Sequence, residues 1–194
     1  MKFAVSGVTL QGNLGGVAML LTAKQEFSRL YPGSDFSLLS ISPRQDRSVP
    51  QLRGVSVVWA HWFALISLFL PISLVAAPFL RLIPVQWSLR RIPYFRALLD
   101  CDALIDLSGI AFVDGRGLAL FAYNTACCAP ALLLGRPVLK LAQSLGPFRQ
   151  ALNRAVARQV IRRCALVVAR GETSGRNLTQ LTGQPAITLP DTTF

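Results

Sequence analysis

PVLKLA (137–142), PFRQALNRAVARQVIRR (147–163), ALVVA (165–169) and ETSGRNLTQLT (172–182) decide the fold class. The first and third are apolar runs of strand length. The second sets Leu152, Val156 and Val160 against Arg154, Arg158 and Arg162, a helical period that predicts an apolar face and a basic stripe. The fourth, after Gly171, has the length of a helix. Strand, helix, strand, helix with short joints predicts parallel pairing, because parallel neighbours need a crossover between them. The alternation continues upstream. Lys2 to Thr9 reads as a strand, Gly16 to Leu30 as a helix closed by Tyr31-Pro32-Gly33, and Phe36 to Ile41 as a second strand. Further on, Arg91 to Leu99 reads as a helix, Ala103 to Leu107 as a strand and Gly117 to Leu132 as a helix. The expectation is an α/β, Rossmann-like parallel sheet with helices on both faces, which binds ligands at the carboxyl ends of its strands.

Composition narrows the class. Of 194 residues 52% are apolar and 15% charged, which excludes a disordered tail and a collagen-like chain and suits one domain with a sizeable core. The net charge is +11, with 17 Arg against 3 Lys, so anionic partners are expected. Helix-turn-helix, zinc-finger and RNP patterns are missing, and nucleic acid is not the expected partner. Cys101, Cys127, Cys128 and Cys164 form no C-x-x-C pair, and His61 is the only histidine, so we expect a reduced intracellular chain without a metal. The opening MKFAVSGVTLQGN is broken by Gly7, Thr9 and Gln11-Gly12-Asn13 and reads as a buried strand, not a signal peptide.

Val55 to Leu80 contains 26 residues without Lys, Arg, Asp or Glu. As one helix it would reach roughly 39 Å, enough to cross a bilayer. Pro71 and Pro78 interrupt it, and arginines flank it on both sides (Arg44, Arg47, Arg53; Arg81, Arg90, Arg91, Arg96). These features predict a re-entrant or interfacial helix pair hinged near Pro71; a buried core helix is the alternative.

Four strand ends carry polar residues. Gly12, Asn13, Gly15 and Gly16 follow the first strand, where a helix amino terminus can cradle an anion or the glycines can form a plain tight turn. Gly7 and Gly12 have Walker A spacing, but Asn13-Leu14 replaces the required Lys and Ser/Thr, which rejects a P-loop. Asp106, Ser108 and Gly109 close another strand, and the aspartate suits a sugar hydroxyl or a helix cap. Gln143 and Ser144 are expected at a strand end facing a crevice, with Pro147 opening the next helix. Arg170 ends the last strand of the quoted set. Asp114, Arg116 and Asp191 receive no role.

In order, GNLGGVAML (12–20), CDALIDLSGIAFVDGRG (101–117), GRPVLKLAQSLGPF (135–148), VVARGETS (167–174) and PDTTF (190–194) resemble the polysaccharide pyruvyl transferase family. The pairing of Q-S-L-G-P with A-R-G-E-T-S is the most specific part. Ser108-Gly109-Ile110 departs from the glycine-richer turn of the family, and the 55–80 insertion is unusually apolar.

The resemblance implies the amino-terminal lobe of a GT-B-like enzyme that moves a pyruvyl group from phosphoenolpyruvate to a sugar as a ketal. It implies a single lobe over 1–194, with the acid/base histidine and arginines on a second lobe absent from these residues or on a partner chain, so that the 194 residues alone are expected to be inactive. The catalytic residues stay unknown, and His61 matches no catalytic motif. Gly12, Asn13, Gly15, Gly16, Asp106, Ser108, Gly109, Gln143, Ser144 and Arg170 are the implied substrate-binding set. The donor is a substrate, and no further cofactor or metal is implied. A lipid-linked saccharide acceptor and an anionic membrane surface are the expected partners, at the cytoplasmic face of the cell membrane. A non-catalytic membrane-associated module that binds sugar phosphates, and a nucleotide-sugar GT-B lobe, remain the alternatives.

Overall fold

The computed structural model describes residues 1–190, so Asp191 and the rest of the closing PDTTF motif after Pro190 lie outside the described residues. Eight strands form one parallel sheet: β1 (Lys2–Ser6), β2 (Asp35–Ser40), β3 (Val55–Trp59), β4 (Ala103–Asp106), β5 (Ile110–Ala111), β6 (Val138–Leu145), β7 (Leu166–Arg170) and β8 (Ile187–Leu189). The spatial order is β3-β2-β1-β4-β6-β7-β8, with β5 paired to the far half of β6. The chain builds outward from β1 in one direction and then returns to continue from β4 in the other. The point of reversal lies between β1 and β4, where open α/β sheets place their ligand crevice.

Strand alternation divides the core into two layers. Phe3 and Val5 face Leu20 and Ala23 of the Leu14–Leu30 helix, together with Phe36, Leu38 and Ile105. Ala4 and Leu104 face the opposite way, into a larger cluster with Phe69, Phe95, Leu98, Ala131 and Val138. The near-continuous burial of β1 and β4 is what a strand covered on both faces requires.

Several boundaries differ from the sequence reading. Val55–Trp59 is not part of a helix: it is an edge strand paired to β2, because its β-branched residues continue the sheet before the helical stretch begins. The helical stretch then runs from Trp62 to Phe79 without a hinge at Pro71. A π turn over Leu65–Phe69 immediately precedes Pro71, and this wider turn accommodates a ring that cannot donate a backbone hydrogen bond. The expected Gly117–Leu132 helix is two helices, Leu118–Ala126 and Ala129–Leu133, separated at Cys127-Cys128 before Pro130. Pro147 follows a cis peptide bond from Gly146 and stands outside the next helix, which covers Ala151–Ile161. That helix buries Asn153, Ala157, Val160 and Ile161, whereas Leu152 is exposed. Of its arginine stripe, Arg158 donates to the Leu181 carbonyl (3.0 Å) and Arg162 to that of Thr182 (3.2 Å), closing the end of the neighbouring Gly171–Thr182 helix.

The Trp62–Phe79 stretch is half in the core. Phe69 is buried, stacks on Tyr94 with ring centroids 4.0 Å apart, and meets Phe95 edge to face at 5.6 Å. Phe69→Ala is expected to cost about 3–5 kcal/mol through the cavity it leaves. Urea unfolding followed by circular dichroism should show a lower midpoint at an unchanged slope.

Candidate functional site

The sheet places the four polar strand ends side by side, since β1, β4, β6 and β7 are successive neighbours. After β1, the Asn13 side chain caps the Leu14–Leu30 helix by accepting from Gly16 N at 3.0 Å. Gly16 packs against the Thr9 carbonyl so closely that a Cβ would collide with it. Gly12, Asn13 and Gly15 are exposed at this edge, whereas Gly16 is buried. Gly16 therefore serves packing in a tight turn, and the exposed positions leave the backbone at Gly12, Asn13 and Gly15 approachable.

Next along the edge, β4 ends in a buried polar unit. Asp106 is fully enclosed and forms an ion pair with Lys140 of β6, its register partner. The Asp106 carboxylate also accepts from Ser108 N (2.9 Å) and Ser108 Oγ (2.6 Å). Gln143 Nε2 donates to the Asp106 carbonyl at 3.0 Å. Gly7 touches the same unit, where any Cβ would strike Ser108 Oγ and Asp106 Oδ1. Burial alone would raise the Asp106 carboxyl, but the Lys140 ammonium and the Ser108 donors outweigh it and hold it below its usual range. Burial would likewise lower Lys140, yet the carboxylate beside it keeps the ammonium protonated and raises its pKa. Asp106 and Gln143 thus face the interior and hold the edge in place, while Gly109 and Ser144 are the groups that reach it.

The β6 strand is irregular where it matters. Its register against β7 shifts between Lys140 and Gln143, and Ala142 adopts φ 46, a left-handed conformation unusual for a residue with a side chain. Because the strand runs on to Leu145, pairing Ser144 with Ile110 of β5, Gln143 is an interior strand residue and not a strand end. Ser144 N donates to the Gly109 carbonyl at 3.0 Å. Ser144 Oγ in turn accepts from Arg170 Nε (3.1 Å) and an Arg170 terminal nitrogen (2.7 Å) at the end of β7. Gly109, Ser144 and Arg170 are therefore joined by direct hydrogen bonds. Ser174, of the ARGETS segment, accepts from Leu145 N (3.2 Å), and Asn177 donates to the Leu145 carbonyl (2.9 Å), so this part of the motif clamps the end of β6.

Sequence reasoning missed three contributors. Lys140 and Ser6 occupy apolar strands, but register lines Ser6, Asp106 and Lys140 in one row across β1, β4 and β6. Asp114 accepts from Arg149 N (2.5 Å), Gln150 N (3.3 Å) and Asn153 Nδ2 (2.6 Å), tying the segment that leads into the Ala151–Ile161 helix to a distant loop. A charged residue inside a predicted apolar strand was the available signal for Lys140; the Asp114 contact had none. Cys127 and Cys128 are buried beside this row, where burial pushes the Cys128 thiol up to about 11. Among the described residues no cluster of His, Cys, Asp and Glu is arranged to hold a metal ion.

The fold is that of the Rossmann-like α/β class, an open parallel sheet whose carboxyl edge carries a capped helix terminus, backbone turns and an arginine. The sequence model of the family described as polysaccharide pyruvyl transferase matches residues 13–194, and the chain belongs to that family. No curated protein and no solved structure matches it.

The buried pair gives a test. Lys140→Met, which strands the Asp106 charge, is expected to cost about 3–5 kcal/mol at neutral pH, and adding Asp106→Asn should recover part of that loss. Because the folded Asp106 pKa is depressed, its stabilisation is present above the unfolded value of about 3.9 and is lost as pH falls through the folded value. Urea midpoints of the wild type and the double variant should therefore converge in acid.

Proposed function

We propose that this lobe forms one wall of the active site of an enzyme that transfers pyruvyl from phosphoenolpyruvate to a sugar of a cell-surface polysaccharide. The observation that carries this reading is the hydrogen-bonded series Gly109, Ser144, Arg170 at the carboxyl edge, beside the Asn13-capped helix, in a chain of this family. Two sugar hydroxyls add to C2 of the donor, C3 gains a proton to become a methyl group, and inorganic phosphate leaves. The negative charge of the carboxylate and of the departing phosphate calls for a fixed positive charge nearby, and the Arg170 guanidinium, anchored on Ser144 Oγ, carries one. Exposed backbone at Gly12, Asn13 and Gly15 is placed to approach the acceptor or an anionic group. Asp106, Ser108 and Gln143 act as positioning residues by fixing the turn that carries Gly109. The proton for C3 comes from a second, GT-B-like lobe, in the same chain or a partner, across an interlobe cleft. The acceptor is lipid-linked, and the enzyme works at the cytoplasmic face of the membrane.

The test is phosphate release from phosphoenolpyruvate in the presence of acceptor saccharides, with the ketal detected by mass spectrometry. Residues 1–194 alone are expected to give no release above background, and supplying the second lobe should restore it. In the restored enzyme Arg170→Met should lower kcat/KM by about 10²-fold, the size of effect found when one donor to developing charge is removed. Transfer by residues 1–194 alone would refute the two-lobe reading. Binding of the donor without turnover in the two-lobe protein would point to a non-catalytic module.

A further inference from the structure

The Trp62–Phe79 stretch has two unlike sides. Ala64, Leu65, Phe69, Ser73 and Ala76 are locked in the core, and only 28% of the stretch is buried inside the protein. The other side leaves Phe63 61% and Val75 70% exposed, with Leu68, Leu74 and Phe79 also bare. The patch continues into the next helix, Ile83–Arg90, where Ile83 is 81% exposed. All three tryptophans of the chain, Trp59, Trp62 and Trp87, lie half-exposed in or beside this surface. A continuous apolar patch of this kind marks an interaction site.

Arginines flank the patch in the chain: between Arg47 and Leu99 there are Arg47, Arg53, Arg81, Arg90, Arg91 and Arg96 and no Asp or Glu, although Arg90 is paired with Asp100 at 3.0 Å. The Arg91 guanidinium lies 3.7 Å from the Trp87 ring centroid, so a cation and an aromatic ring form one unit at the patch. Arg47 donates to the Val57 carbonyl at 3.1 Å, which keeps a second guanidinium on the outer strand. The polar groups of the helix are already satisfied: Ser67 Oγ donates to the Phe63 carbonyl and Ser73 Oγ to that of Phe69, each at 2.7 Å. Entering an apolar phase would thus leave neither hydroxyl unpaired.

We propose that this face docks on the surface of an anionic bilayer, with the Trp62–Phe79 stretch lying in the plane of the membrane rather than crossing it. Phe63, Val75 and Ile83 enter the acyl boundary, the tryptophans sit at headgroup level, and the arginines meet lipid phosphates. Crossing is opposed because Phe69 stacked on Tyr94 would have to leave the core. The proposal rests on the reading of the chain as an enzyme of membrane-side polysaccharide assembly; its test uses no donor or acceptor, so the two fail separately.

The experiment is sedimentation of the full chain with vesicles of phosphatidylcholine containing about 30% phosphatidylglycerol, against phosphatidylcholine alone, with tryptophan quenching by lipids brominated near the headgroup. Binding to the anionic vesicles, shallow quenching and release by alkaline carbonate are expected. Phe63→Glu with Val75→Glu should weaken partitioning by about tenfold or more at an unchanged Tm, since both positions are solvent-exposed. Ile83→Glu, on a separate helix, serves the same purpose should the double variant fold poorly. No binding to anionic vesicles, binding unaffected by these substitutions, or retention through carbonate as for a spanning helix would each overturn the proposal. So would a lipid-free dimer by light scattering that Phe63→Glu dissociates, because a second copy would then cover the face.

Discussion

Lys140 and Asp106 set the geometry of the carboxyl edge. Two opposite charges fully removed from water are tolerated only when each satisfies the other, so β4 and β6 are held in one register. The same carboxylate anchors Ser108, and the Asp106 carbonyl anchors Gln143; between them they fix the turn that delivers Gly109 to Ser144 and, through Ser144, to Arg170. The absence of a side chain at Gly7 lets β1 approach this unit closely. A buried ion pair is seldom the cheapest way to hold a sheet together. Here it fixes one geometry where β4 and β6 meet at the carboxyl edge.

Around that point the fold uses irregularity locally. The bulge at Ala142 changes the phase of β6, so the strand carries Lys140 into the core and still brings Ser144 to the edge two residues past the bulge. The clamp of Ser174 and Asn177 on Leu145 holds the strand end beyond it. Residues of the most family-specific segments therefore divide into two sets. Ser144 and Arg170 occupy the edge, whereas Gln143 and Ser174 keep those two where they are.

The apolar insertion shows what hydropathy can and cannot say. Composition alone allowed a spanning helix, a re-entrant pair or a core helix, because all three bury the same residues against something apolar. Packing separates them: Phe69 on Tyr94 commits one side to the protein, and the exposed tryptophans leave the other side apolar and unpartnered within the described residues.

The sequence by itself determined the alternation of strands and helices, the parallel sheet, the family, and the polar residues at the four strand ends. These rest on local periodicity and on short motifs that survive without knowledge of contacts. It could not place β3, since Val55–Trp59 merges into a longer apolar run, nor the Lys140 and Asp106 partnership, whose members lie 34 positions apart. Nor could it separate Gln143, enclosed in the core, from its neighbour Ser144 at the edge. Only the tertiary structure decided these, because register, burial and the phase of a bulged strand come from the neighbours a residue meets, and those neighbours are distant in the chain.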